Sequence, residues 1–150
     1  MGLLARAPLP LLEQVLEPHA RTSPVWLRRP ETGLMMIEGR VGGTGDRFNL
    51  GEITVTRCAL RLSNTTQPAP VGISYVLGRS HRHAFLAAIA DALLLSAATN
   101  VELEQTLLAP LRQVLALQKS ERQQRADSSK VEFFTVARES GRANDPEEQP

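Results

Sequence analysis

The chain has little of several things that commonly stabilise or equip a small protein. Its 150 residues include one cysteine, one tryptophan, one tyrosine and four phenylalanines. A single Cys58 excludes an internal disulfide framework and points to a reducing compartment. Excess charge is absent too: 17 Lys+Arg stand against 16 Asp+Glu, a net +1. That balance argues against a broad nucleic-acid footprint, which needs a basic surplus or stripe. The longest apolar stretch, Ala84 to Ala98, contains Asp91 and is too short to span a bilayer. Arg6 and Pro8 interrupt the apolar start before a signal-peptide core can form. The expectation is a cytoplasmic protein with neither membrane nor nucleic acid as a partner.

Lysine is also scarce. Only Lys119 and Lys130 occur, so fifteen of the 17 cations are arginine. A GC-rich genome accounts for such a bias. The alternative is that some guanidiniums serve as forks for planar anions, carboxylate or phosphate.

The patterning predicts one α+β domain over residues 1–138 and a polar, disordered tail over 139–150. Helices are expected over roughly 9–19, 81–97 and 100–127. Strands are expected over 34–41, 52–62 and 71–77, close enough in sequence for an antiparallel sheet of three or more strands. Residues 23–30, bounded by Pro24 and Pro30, read as a connector. In 52–62, Ile53 and Val55 are out of phase with Cys58, Leu60 and Leu62. This implies a bulge near Arg57 or a strand covered on both faces, with Arg57 and Arg61 on one side in either case. Ser80 is placed to cap the second helix, and Thr99 with Glu102 reads as a capping box for the third. Pro110 should kink or divide that helix.

Several features are candidates for chemistry. Gly42, Gly43, Thr44, Gly45 and Arg47 lie in a ten-residue connection, residues 42–51. Its glycines permit positive φ and expose backbone N–H groups, as an anion-binding nest requires, although an irregular turn has the same composition. No Gly-Lys-Ser/Thr follows, which excludes a P-loop. Arg57 and Arg61 either clamp an anion or pair with carboxylates. Arg79 and Arg82 flank the start of the second helix, where positive charge is unfavourable without an anion. His81 and His83 diverge by about 200° on a helix and cannot share a metal, so no metal site is expected. His83 is a conceivable general acid or base, or simply a structural histidine. Cys58 reads as core. Asp91 interrupts a stripe shared with Ala84, Ala88 and Leu95; buried, it needs a donor, with arginine the natural partner. The small residues permit close approach of another backbone, in this chain or a neighbour. Phe133 and Phe134, in Val131-Glu132-Phe133-Phe134-Thr135-Val136, form an abrupt apolar patch suited to partner contact.

Several separate blocks, in order over roughly residues 20–138, carry a resemblance. They are Glu31-Thr32-Gly33-Leu34, Arg40 to Phe48, Gly51 to Leu62, Gly72 to Arg79, His83-Ala84, Asp91-Ala92-Leu93 and Val131 to Thr135. Together they resemble the PhnG subunit of the bacterial carbon–phosphorus lyase machinery. Ser80 departs from the Asp usual there, and the 63–70 loop is longer. The resemblance implies a complex with PhnH, PhnI and PhnJ subunits. That complex converts ATP and an alkylphosphonate into a ribose 1-phosphonate 5-triphosphate, releasing adenine. It implies no cofactor bound by this chain. The 42–47 loop, Arg57 and Arg79 would then contact substrate anions or a neighbour's carboxylates. The other reading is a scaffold that stabilises the nucleosidase-like PhnI and contributes no catalytic residue.

Overall fold

The computed structural model describes residues 1–21, 23–63 and 69–129. The 139–150 tail and most of the 63–70 loop therefore lie outside the described residues. A 3₁₀ turn, Leu4–Arg6, precedes helix α1, Leu9–Ala20. Strands β1, Val25–Arg40, β2, Arg47–Arg61, and β3, Val71–Leu77, follow. Helices α2, His81–Leu94, α3, Ala97–Leu103, and α4, Ala109–Ser128, complete the described chain. The strands form one antiparallel sheet in the order β1-β2-β3. This is the α+β class the pattern predicts.

Helix α2 is the middle layer. It is apolar on nearly every side, and Ala84, Leu86, Ala87, Ala88, Ile89, Ala90 and Ala92 are buried. A helix apolar all round has to be covered all round. The sheet covers one side, through Cys58, Leu60 and Val76, and α1 covers another through Leu12 and Leu16. Gly72 explains how close β3 comes. A Cβ on it would stand 1.8 Å from the Ala88 carbonyl oxygen and 2.8 Å from Ala92 N. The small-residue stripe of α2 is thus used within this chain, by β3. Ser74, also on the covered face of β3, donates its hydroxyl to Ala84 O at 2.6 Å.

Two expectations are corrected and one alternative is decided. Residues 23–30 are not a connector: β1 starts at Val25 and runs through Pro30. β1 is an edge strand, and register shifts on either side of Arg28 place Pro30 in a bulged stretch, where a missing N–H is tolerated. β2 is covered on both faces rather than bulged near Arg57: its ladder with β3 is continuous from Val55 to Arg61, so Val55 and Cys58 point to opposite sides, and both are buried. The ten-residue connection is shorter than expected, because β2 begins at Arg47 and pairs back to Arg40.

The helical half differs in detail. Ser80 caps α2 as expected, accepting from His83 N at 3.2 Å. α2 ends at Leu94, three residues early, and the next helix starts at Ala97. Thr99 caps backwards: its hydroxyl donates to Leu93 O and the Asn100 amide to Leu94 O, so α3 satisfies the last carbonyls of α2. Ahead of Pro110 the helix opens into a π turn, Glu104–Leu108, with Ala109 N–H donating to Glu104 O, five residues back. This is how the chain absorbs a proline that cannot donate.

The sheet extends beyond its cover. β3 pairs with β2 only between Val55 and Arg61, so residues 34–54 continue as a two-stranded arm. From Thr54 to Arg47 the arm reaches about 24 Å at a strand's usual rise. Among the described residues, no single helix is long and apolar enough to cross a membrane.

Candidate functional site

The arginines expected to bind anions are dispersed. Ten residues of β2 separate Arg47 from Arg57, about 33 Å along an extended strand. The glycine turn at the arm tip and Arg57 at the arm base therefore cannot grip one small ligand. Arg79 lies at the opposite end of β3 from the 63–70 loop, where Gly78 N–H donates to Thr54 O at 2.9 Å. The structure brings Arg79 to the arm base and leaves Arg47 alone at the tip.

Local geometry accounts for several of these residues. At the tip, Gly42 and Gly43 adopt φ of 58° and 83°, so a side chain at either would be strained. Thr44 N–H and Gly45 N–H both donate to Val41 O, and Arg40 Nη1 donates to Gly45 O at 3.1 Å. Two N–H groups that a nest would aim at an anion are thus turned onto the chain itself. Arg47 Nη1 stands 3.7 Å from Glu38 Oε2 across the hairpin, with both side chains exposed.

Arg57 donates from Nε to Glu31 Oε1 at 2.7 Å, and Arg28 Nη1 reaches the same oxygen at 2.7 Å. The Arg57 hydrogen bond, with help from the Arg28 charge, holds the Glu31 carboxyl below its usual range. Arg57 thus has an anion, and the chain supplies it. The same holds at the start of α2. Arg82 spans Glu13 and Glu17 of α1 at 3.4 and 2.9 Å, with its guanidinium carbon 6.0 Å from the Phe85 ring centre. The Arg82 charge is answered by α1, whereas among the described residues no carboxylate lies within ion-pair distance of Arg79.

His83 is a tether. Its Nε2 lies 2.9 Å from Leu4 O, which can only accept, so Nε2 carries the proton and donates. Asp91 finds no arginine: Oδ2 accepts from Ile73 N–H at 3.0 Å, and Oδ1 lies 4.0 Å from the N-terminal amine. It closes an otherwise open position on the β3 edge. Cys58 is buried, and burial pushes its thiol up to about 11, so it is inert as a nucleophile at neutral pH. Phe133 and Phe134 fall outside the described residues.

Two features escaped the sequence reading. His81 starts a one-way relay. Thr56 donates to Gly78 O at 2.7 Å, so Thr32, 3.1 Å away, must donate to Thr56. Thr32 then accepts from His81 Nε2 at 3.0 Å, which locks β1, β2 and the start of α2 together. The other is the arm, whose two strands carry Leu34, Met35, Met36, Phe48 and Leu50 all exposed, with Val41 at the turn 66% exposed. The apolar run from Leu34 to Ile37 and the pair Phe48 and Leu50 are legible in sequence, but not that nothing among the described residues would cover them. Among the described residues no three His, Cys, Asp or Glu side chains gather as a metal would require.

Comparison with known proteins gives this arrangement a family. The model of the phosphonate metabolism protein PhnG family matches residues 1–139. A relative from Rhizobium meliloti (strain 1021), named alpha-D-ribose 1-methylphosphonate 5-triphosphate synthase subunit PhnG, is 42% identical over 144 residues. The match covers 92% of this chain and 86% of the relative. With both the family model and a relative matching nearly end to end, the chain belongs to the PhnG family.

Proposed function

We propose that the chain is the PhnG subunit of an alpha-D-ribose 1-methylphosphonate 5-triphosphate synthase. In this reading it works in the cytoplasm with PhnI, PhnH and PhnJ subunits of a carbon–phosphorus lyase complex. A phosphonate oxygen of an alkylphosphonate attacks C1′ of ATP, the bond from C1′ to adenine N9 breaks, and adenine leaves with that electron pair and takes up the proton that the phosphonate gives up. The 5′-triphosphate stays on the sugar. This chain binds no cofactor of its own in that scheme.

The observation that carries the reading is the arm. A two-stranded ribbon with apolar side chains exposed along it is marginal in water and is stabilised by burial against a second surface. At its base Arg28 and Arg57 are already paired with Glu31, whereas no carboxylate among the described residues lies within ion-pair distance of Arg79. Its contribution is therefore assembly: the arm docks on a neighbouring subunit and sets that neighbour's substrate site. The alternative, a direct contact to substrate, is favoured at the arm tip, where Arg47 is exposed beside Glu38, and at the arm base, where Arg79 has no carboxylate partner among the described residues.

The test is reconstitution. Co-expressed with its partner subunits, the wild-type chain should co-purify with them and support adenine release from ATP dependent on methylphosphonate. Leu34→Asp with Leu50→Asp should abolish co-purification while the isolated domain keeps its circular dichroism and melting temperature. Full assembly of that double variant would overturn the arm as the docking element. Failure of the wild type to join any complex would overturn the functional reading itself.

A further inference from the structure

We infer a second docking surface, beside the end of β3 near the arm base: a basic, apolar-floored groove that receives an acidic amphipathic segment of another subunit. The inference rests on the complex proposed above.

The groove has a volume of about 720 Å³ and runs between the N-terminal 3₁₀ turn, the end of β3 and α4. Leu3 and Leu115, which pack against the core, form its apolar floor beside the exposed Leu77, and Arg6, Arg112, Lys119 and Arg122 line it. None of its lining residues is acidic. Arg112 is paired with Glu104, whereas Arg6 Nε donates only to the neutral Gly2 carbonyl at 2.9 Å. Among the described residues, no carboxylate lies within ion-pair distance of Arg6, Lys119 or Arg122. The groove thus gathers three cations whose counter-charge is not provided by the described chain, in contrast to Arg57 and Arg82.

The spacing selects the kind of ligand. Arg112, Leu115, Lys119 and Arg122 recur at intervals of three and four on α4, so they share one face. That face extends about 15 Å at a helix's rise per residue. Cations strung along such a line, over an apolar floor, do not converge on a point as they would around a phosphate. They match a run of Asp or Glu flanking an apolar stripe, the pattern of a helix or strand laid into a groove. Helix α4 itself supports this, because Leu111 is its only buried residue among twenty. The helix is far longer than the domain core needs.

The experiment uses the assembled wild-type complex, with a photo-crosslinking amino acid in place of Ala116 in the groove. The expected product joins position 116 to an acidic amphipathic segment of another subunit. A cross-link to residues 130–150 of this chain, to a second copy of it, or to a segment without acidic residues overturns the inference. So does the absence of any cross-link in a complex that assembles and turns over. A second readout is Lys119→Glu with Arg122→Glu. The pair should weaken association on the order of tenfold or more at low salt, and high salt should narrow the difference. The isolated domain should melt as the wild type does; unchanged association at low salt overturns the inference. Because the wild-type complex must first form, failure of the groove and failure of the functional reading give different results.

Discussion

Arg57 Nε and Glu31 Oε1 lie 2.7 Å apart across the β1–β2 pair, and their residues are direct partners in the strand register. The Glu31 carboxyl is held below its usual range, first by this hydrogen bond. A depressed carboxyl adds stability that is full above the unfolded pKa of about 4.3 and fades as pH falls through the lower folded value. Melting curves of wild type and Glu31→Gln should therefore differ at pH 7 and converge only on acidification below about pH 4. Both side chains are half exposed, so the difference will be small. A gap that persists undiminished at pH 2 would show that the pair is not its source.

Gly72→Ala tests the close contact of sheet and helix. With a Cβ position 1.8 Å from Ala88 O, either β3 or α2 must shift. The isolated domain should lose about 3 kcal/mol or more in chemical denaturation. A loss under about 1 kcal/mol would mean that the layers are less tightly apposed than they stand here.

His83→Gln separates tether from acid–base catalyst. As a tether to Leu4 O, the histidine holds the first turn of the chain, and its replacement should speed hydrogen exchange in residues 4–7. The stability cost should be about 1 kcal/mol, with adenine release by the assembled complex within about twofold of wild type. A general acid or base would instead cost about 10²- to 10⁴-fold in turnover.

Arg47→Ala asks whether the arm tip touches charge on a neighbour. Its pair with Glu38 is exposed and 3.7 Å long, so stability should change by less than about 0.5 kcal/mol. Turnover of the complex should nevertheless fall about tenfold, the worth of one charge-assisted contact. Arg57→Ala, whose guanidinium is occupied by Glu31, should leave turnover near wild type. Equal turnover in both variants would remove Arg47 from the site.

What was legible in the sequence was whatever is decided by neighbours in the chain. Val71–Leu77 alternates cleanly and is a strand with those bounds, and Ser80 caps α2 because both cap atoms lie within four residues. Pro110 announced a break, though not that a π turn would absorb it. What was hidden depends on distant partners. The bulges that admit Pro30 arise from pairing with β2. Arg82 looked like a site in search of an anion because Glu13 and Glu17 lie 69 and 65 residues away. Asp91 took a backbone N–H where an arginine was expected, because the exposed edge of β3 passes beside it. Residues 42–51 looked like a long loop because their pairing with β1 is a matter of register, not composition.

The arm has one more implication. No residue from 34 to 54 belongs to the hydrophobic core or packs against it. At the arm, though not at the groove, the instructions for choosing company are therefore written apart from those for building the core. Drift in one stretch need not disturb the other, so a lineage can retune which neighbour it fits without relearning how to fold.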